Sequence, residues 1–350
     1  MQIKSLELFH VAMPLKSAIK HASHARESSD NLVARITLAN GVQGYGEGVP
    51  RDYVTGETIA STFETLSRID VARHLGAPSD YMKLVPALES LEIAETLNDP
   101  RGMRGNAARC ALEIAVLDAY GRHFGRTFSE AVRLVDVGGV DRRATPIGVR
   151  YSGAITAADP RRERISAWKM RLYGFHQVKV KVGVAGQNDP ARLARFRRIL
   201  GSNVDVRIDA NEAWPASELH ARVEPLLRSR PSVLEQPCPH AELEAMAALK
   251  PTLGVPIMLD ESLCGLPDAR RAVELRAADV FNIRLSKCGG IIAALRMMEV
   301  ARAAGLDIQL GCHPGESGIL SAAGRQNKKA LALEARKFKR EQKKCEEDEE

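Results

Sequence analysis

The sequence lacks the features that mark membrane, secreted and nucleic-acid-binding proteins. No run of about 18 apolar residues occurs in its 350 residues. The N-terminal stretch MQIKSLELFHVAMPLK has no apolar core of signal-peptide length. The basic residues, which give a net charge of +6, are scattered, and no aromatic-rich basic stretch accompanies them. We therefore predict a cytoplasmic protein that binds neither membranes nor nucleic acids.

Paired cysteines are also missing. The six cysteines, at positions 110, 238, 264, 288, 312 and 345, include no C-x-x-C pair, and no His and Cys have the spacing of zinc ligands. Four of them recur at the regular interval of the predicted strands, so a thiolate cluster on one rim is an alternative. Small residues often end strands, which favours reduced, structural thiols.

The first 130 residues predict a small α+β domain. Apolar alternation predicts strands at IKSLELFHVAM, NLVARITLAN and VQGYGEG, and Asn40-Gly41 between the last two is a hairpin signal. The polar segment 15–30 between the first two strands predicts a mobile loop. Residues 56–125 are predicted to be mostly helical, with the clearest apolar periodicity in ARCALEIAVLDAYGRHFG.

Short apolar strands then alternate with helices. Strands are predicted at ATPIGV, QVKVKVG, VDVRIDA, SVLEQ, PIMLDE, DVFNIRLS and DIQLGC. Such alternation predicts a parallel sheet, and seven units in a row predict a (β/α) barrel of the TIM type. The predicted fold class is thus α/β, with an N-terminal α+β capping domain at 1–130, a catalytic barrel at 131–325 and a charged helical or disordered tail at 326–350.

Seven units are one short of a closed barrel. The segment KALALE in the tail alternates Ala and Leu and could supply a short eighth strand. The tail as a whole is rich in Ala, Leu, Glu, Lys and Arg, which favours a solvated helix or disorder. An unclosed barrel would leave two unpaired strand edges.

Charged residues recur once in each predicted βα unit, at Lys181, Asp209, Glu235, Asp260 and Lys287. Barrel active sites are built at the C-terminal ends of the strands, where these residues fall. Three carboxylates close together repel one another unless a cation neutralises them, and oxygen-only ligation favours Mg²⁺, with Mn²⁺ as a substitute. The alternative is that the three acids only cap the following helices.

The motifs KVK, DAN, EQP, DES, NIRLSKCGG and GCHPGESGILSAAGR, with GYGEG and YVTGE, resemble those of the enolase superfamily. The resemblance is to its muconate-lactonizing-enzyme-like subgroup and covers residues 1 to about 325. It implies that Asp209, Glu235 and Asp260 hold Mg²⁺. It further implies that Lys181 and Lys287 are acid/base groups on opposite faces of a small carboxylate substrate, with Lys179 helping to set the pKa of Lys181.

Further residues are expected around this site. Asn211 and Glu261 adjoin predicted ligands, and His313 and Glu316 are expected to line the pocket. His21 and Tyr53 lie in the capping domain, whose loops set specificity in the family. In the mandelate-racemase-like subgroup a His at the end of the seventh strand, the position of His313, is a base that an Asp at the end of the sixth strand orients. Here the sixth strand offers Asn282 and Lys287, with no Asp after Asp279 at its start.

The resemblance implies an isomerase or lyase that removes a proton from the carbon next to a carboxylate through an enediolate. Cycloisomerisation, as in muconate cycloisomerase, and racemisation or epimerisation of a dipeptide or N-acylamino acid are both expected candidates. One alternative is β-elimination of the o-succinylbenzoate synthase type. Another is a non-catalytic or impaired barrel, because the C-terminus diverges from the family. A homo-oligomer is also plausible by resemblance.

Overall fold

The structure is a computed structural model that describes residues 1–20, 25–93, 103–128, 130, 151–156 and 159–326. Several predicted features lie outside these residues: His21, the strand ATPIGV, most of the tail with KALALE, and Cys345. The domain boundaries near residues 130 and 325 stay predictions.

The N-terminal part forms an antiparallel sheet of three strands in the order β1 (Ile3–Lys20), β2 (Ala25–Leu38) and β3 (Gln43–Gly48). The turn at Asn40-Gly41 joins β2 to β3, which confirms the predicted hairpin. The mobile loop predicted over 15–30 is wrong for the described residues. There β1 and β2 continue to pair, as at Ile19 with Arg26, beyond an irregularity after Pro14. Backbone pairing supplies this ladder, so polar side chains do not prevent it.

Five helices follow this sheet: α1 (Asp52–Thr55), α2 (Ile59–Ser67), α3 (Val71–Leu75), α4 (Leu84–Glu89) and α5 (Asn106–Phe124). A 3₁₀ turn at Tyr81–Lys83 precedes α4. The long helix α5 lies directly on β3, because each glycine of GYGEG faces an alanine of the helix. A Cβ atom added to Gly46 would lie 2.0 Å from the carbonyl oxygen of Ala111. Only small residues permit such a close approach.

The second sheet contains seven parallel strands in sequence order: β4 (Gly153–Ile155), β5 (Gln177–Lys181), β6 (Asp205–Asp209), β7 (Leu234–Glu235), β8 (Ile257–Leu259), β9 (Val280–Ile283) and β10 (Asp307–Leu310). Six of them lie in predicted strands, and β4 lies just after the predicted ATPIGV. Parallel strands joined by helices form the curled sheet of a barrel-like fold. In the described part of the chain, β4 and β10 pair with one neighbour each.

The helices on this sheet are α6 (Pro160–Leu172), α7 (Asp189–Leu200), α8 (Leu219–Leu227), α9 (Leu243–Leu249), α10 (Leu266–Glu274), α11 (Leu285–Cys288) and α12 (Ile291–Ala303). Short 3₁₀ turns occur at Ala216–Glu218, His240–Glu242 and Lys250–Thr252. Residues 318–326 are helical. In the described part of the chain, no helix is both long and apolar enough to cross a membrane.

Buried carboxylates join the N-terminal part to the second sheet. Glu47 on β3 accepts hydrogen bonds from the backbone N–H groups of Ser317 (2.7 Å) and Leu320 (3.0 Å). Glu113 on α5 accepts from the N–H groups of Ile291 and Ile292, the first residues of α12. These contacts supply acceptors to helix beginnings whose N–H groups have no partner within the helix.

Four of the five described cysteines are buried, which agrees with the structural thiols expected from the sequence, and one is exposed. Those at positions 110, 238, 264 and 288 are buried, Cys312 is exposed, and none of the five forms a disulfide. Burial raises the pKa of Cys110 and Cys288. Thiols in such surroundings are unreactive.

Candidate active site

The two lysines of the KVK motif share one face of β5. Side chains alternate along a strand, so Val178 and Val180 are fully buried on the other face. The sheet register pairs Lys181 with Asp209, and Asp209 with Glu235. Three adjacent strands therefore present these side chains at the same edge of the sheet.

The three predicted carboxylate ligands are buried at this edge. Asp209 and Glu235 end β6 and β7, and Asp260 follows β8. The Nζ atom of Lys179 lies 2.8 Å from Oδ2 of Asp209 and 3.0 Å from Oε1 of Glu235. One lysine thus bridges two of the acids.

Two cations approach the acids from the other side. A guanidinium nitrogen of Arg284 contacts Asp260 Oδ2 directly and lies 3.6 Å from Oε1 of Glu235. The Nζ atom of Lys287 lies 2.8 Å from Oδ1 of Asp260 and donates to the carbonyl oxygens of Asp260 (2.5 Å) and Asn282 (3.0 Å). Each acid therefore contacts a lysine or arginine.

Lys181 lies beside this ion-pair network. Its Nζ donates to Oδ1 of Asn211 at 2.5 Å and lies 4.0 Å from Asp209. Burial lowers the pKa of Lys181 to about 8; Asp209 opposes this change, whereas Lys179 and Arg284 favour it. A lysine with such a pKa is partly neutral near pH 8 and is able to accept a proton.

The pKa values of the neighbouring groups are shifted for different reasons. Burial would lower the pKa of Lys179, but Asp209 and Glu235 outweigh it and raise that pKa. Burial lowers the pKa of Lys287. Burial opposes ionisation of Asp209, yet Lys179 and Lys181 lower its pKa to about 2. The two lysines of the KVK motif therefore differ, because the pKa of Lys181 is lowered and that of Lys179 is raised.

Asn211 and Glu261 lie where the sequence places them, next to the acids. The Asn211 side chain donates to Oε1 of Glu261 at 3.1 Å, and its backbone N–H donates to Asp209. Burial raises the pKa of Glu261 to about 7, and the charge of Asp209 adds to this. Asn211 therefore joins Lys181 to a carboxyl group that changes its charge near neutrality.

His313, Glu316 and Tyr53 lie in surrounding segments. The backbone N–H of His313 donates to Oε2 of Glu316 at 3.0 Å, and Ser321 donates to Oε1. Burial raises the pKa of Glu316. Tyr53 packs against a small apolar group that contains Cys264 of the loop after Asp260.

Three functional side chains were not singled out from the sequence. Arg284 contacts two of the acids, and the Asn282 side chain donates to Oε1 of Glu235 at 2.9 Å. Both lie on one face of the chain around the end of β9, at the same i, i+2 spacing as the KVK lysines. Asn106 at the start of α5 donates to the carbonyl oxygens of Lys287 (2.7 Å) and Cys264 (2.8 Å). The spacing rule could have identified the first two, whereas Asn106 required the tertiary structure.

The three acids are separated by cations and do not form a closed cluster. In the described part of the chain, no group of three or more His, Cys, Asp or Glu side chains is close enough together to hold a metal ion. Lysine and arginine bridge the acids in pairs instead. The donor set consists of carboxylate oxygens on adjacent strands, which is the ligand type that a hard cation such as Mg²⁺ prefers.

Comparisons with known proteins agree with this geometry. The model of the family described as Enolase C-terminal domain-like matches residues 162–344. The chain belongs to the enolase superfamily. The N-succinyl-L-Arg/Lys racemase of Bacillus cereus is 28% identical over 333 residues, which cover 93% of this chain and 83% of the racemase.

Solved structures place this superfamily member among isomerases. The muconate lactonizing enzyme of Pseudomonas fluorescens, complexed with muconolactone, has a TM-score of 0.78 and 28% identity, and the match covers 94% of this chain and 84% of that chain. The dipeptide epimerase of Enterococcus faecalis V583, complexed with Mg and L-Leu-L-Tyr, has a TM-score of 0.75 and 26% identity, with coverage of 94% and 88%. This superfamily member is thus an enzyme, and its relatives support racemisation or epimerisation.

Proposed function

We propose that this enzyme is a Mg²⁺-dependent racemase or epimerase that moves a proton at the α-carbon of a dipeptide or N-acylamino acid. The observation that carries the proposal is the placement of two lysines, the partly buried Lys181 and the buried Lys287, on either side of the acids. Lys181 ends β5 and Lys287 follows β9, and the three strands between them carry the acids. The same proposal includes a (β/α) barrel of the TIM type, for which the sequence indicates seven strands and offers KALALE as a short eighth strand.

The lysines would divide the proton transfer between them. Neutral Lys181 would take the α-proton from one face of the substrate, and protonated Lys287 would return a proton to the opposite face. The reverse reaction would exchange their roles. The pKa of about 8 for Lys181 lets it act in both protonation states near neutral pH.

Charge balance supports a doubly charged enediolate in this site. The cations Lys179, Lys181, Arg284 and Lys287 face the acids Asp209, Glu235, Asp260 and Glu261. Mg²⁺, held by Asp209, Glu235 and Asp260, would supply the additional positive charge that stabilises the enediolate. Lys179 would hold Asp209 and Glu235 in place.

The test is exchange of the α-proton in D₂O with Mg²⁺, followed by proton NMR on a panel of dipeptides and N-succinylamino acids. We expect exchange to fall about 100-fold or more in Lys181→Ala, with Mg²⁺ binding retained. Lys287→Ala should lose exchange of the opposite stereoisomer. Lys169→Ala, which changes an exposed lysine on α6, is the control and should exchange normally. An active Lys181→Ala protein would contradict the proposed role.

Cycloisomerisation is a second candidate, and the similarity to muconate lactonizing enzyme favours it. It needs only one lysine as a proton donor or acceptor, with the other acting through its charge. The same panel distinguishes the two, because a cycloisomerase would convert a muconate or lactone and leave the α-protons of the dipeptides unexchanged.

A further inference from the structure

Arg284, like Lys179, is a cation of the site that takes no part in the proposed proton transfer. It lies between β9 (Val280–Ile283) and α11, and its side chain is 13% exposed. The guanidinium contacts Asp260 and lies 3.6 Å from Glu235. It therefore lies between two of the three acids that would hold the metal.

The contacts of Arg284 differ from those of Arg192, whose guanidinium is paired with two carboxylates. Its Nε atom is buried and makes no hydrogen bond to any described residue. By contrast, Arg192 contacts Glu163 through both Nε and a terminal nitrogen, and it also bonds to Asp189. A buried donor without a partner has a free-energy cost, so the position of Arg284 depends mainly on the charge of the acids.

We propose that Arg284 is an internal counter-cation that occupies the metal site, and that Mg²⁺ enters only by displacing its guanidinium from Asp260. This inference rests on the metal dependence in the proposed function. It explains why the acids are bridged in pairs by lysine and arginine although their chemistry fits a divalent ion. A divalent metal ion and the guanidinium would repel each other strongly if both contacted the same oxygen of Asp260.

The displacement has a consequence for Lys287. Its ammonium has three N–H donors, and its three acceptors are the side-chain and backbone oxygens of Asp260 and the carbonyl of Asn282. A metal ion that withdraws the Asp260 carboxylate releases one of these donors. Metal binding would therefore also make a proton of Lys287 available to the substrate.

The experiment measures Mg²⁺ affinity by isothermal titration calorimetry without substrate, for the native protein, Arg284→Met and Arg284→Lys. Methionine fills similar space without charge, and we expect Mg²⁺ to bind about tenfold or more tightly to that variant, because the competing ion pair is gone. Arg284→Lys should bind with intermediate affinity. Without metal, the melting temperature of Arg284→Met should fall, because Asp260 loses a neutralising partner.

The matched control is Arg207→Met. Arg207 lies on β6 two residues before Asp209, on the same face of the strand, and forms no ion pair with the acids in the described structure. An equal gain in Mg²⁺ affinity in this control would show a general charge effect and overturn the inference. Unchanged or weaker binding in Arg284→Met would also overturn it.

A second measurement uses the native protein, in case Arg284→Met does not fold. The NMR signal of the Arg284 Nε–H group, assigned by its loss in Arg284→Lys, should shift on addition of Mg²⁺ and stay unchanged in Asp209→Asn. A signal that does not respond to bound Mg²⁺ would refute displacement. If the native protein shows Mg²⁺-dependent proton exchange but Arg284→Met gains no Mg²⁺ affinity, this inference is overturned and the proposed function still stands. Displacement without any exchange would support the inference and contradict the proposed function.

Discussion

Glu113→Gln tests how a buried carboxyl group connects the two parts of the molecule. Glu113 lies on α5 and is 3% exposed, and one of its oxygens accepts from two N–H groups at the start of α12. Burial raises its pKa from 4.5 to about 7, although these two N–H groups favour the charged form. Glutamine keeps a carbonyl acceptor at the same place and removes the ionisation.

The sign of the effect follows from linkage. A carboxyl whose pKa is higher in the folded chain contributes its full stability below the unfolded value near 4.5. That stability is lost as the pH rises through about 7. At 1.36 kcal/mol per pKa unit, the change is about 3 kcal/mol. We therefore expect Glu113→Gln to gain on the native protein by about 2 to 3 kcal/mol between pH 5 and pH 8.

Urea unfolding followed by circular dichroism at pH 5, 6, 7 and 8 would measure this difference. Glu64→Gln, which changes an exposed glutamate on α2, controls for the general loss of one negative charge. A stability difference that stays constant with pH would show that the Glu113 pKa is not raised in the fold. A variant that loses stability relative to the native protein at pH 8 would show that the helix N-terminus favours the charged form after all.

Two further predictions concern the metal site and the N-terminal packing. Mg²⁺ at 100 times its dissociation constant should stabilise the native protein by about 2.7 kcal/mol and so raise its melting temperature. Asp209→Asn should lose this increase in melting temperature. Asp205→Asn, on the same strand but bonded to Gln177 and Ser232, should keep it, and an equal response in all three proteins would place the metal elsewhere. Gly46→Ala should cost about 3 kcal/mol or more in urea unfolding, since its Cβ would meet the backbone of α5. Gly318→Ala adds its Cβ in open space and should be neutral; an equally stable Gly46→Ala protein would refute the close packing.

Much of the second sheet could be predicted from the sequence because two patterns indicate the same strands. Apolar residues alternate with polar ones within each strand, and a charged residue follows at the strand end. The valines of KVKV had to be buried, so the lysines had to share the other face, and the acids at the ends of β6 and β7 had to lie beside them. Chemical roles of these residues remain predictions, since the described structure contains only the protein. Six of the predicted strands could be located to within a few residues for the same reason.

Other features depended on contacts that alternation does not encode. The pairing of β1 with β2 through the polar segment 15–30 uses backbone hydrogen bonds, to which side-chain hydrophobicity is a poor guide. The position of Arg284 depends on the charge of acids from two other strands. The contact of Asn106 with Lys287 joins residues 181 positions apart, and no local pattern predicts such a pair.

The contacts of α5 with the segments around the second sheet limit how freely the N-terminal part of this chain can be exchanged for that of a relative. Asn106 holds the carbonyl groups of Lys287 and Cys264, and Glu113, two turns further along the same helix, holds the start of α12. An engineer who grafts the N-terminal part of a dipeptide epimerase onto this chain would replace both contacts at once. The graft would change the loops that are predicted to set specificity and, in the same step, the contact that supports a proposed catalytic lysine. Chimaeras of this protein should therefore exchange loops of the N-terminal part and keep α5 as the native helix.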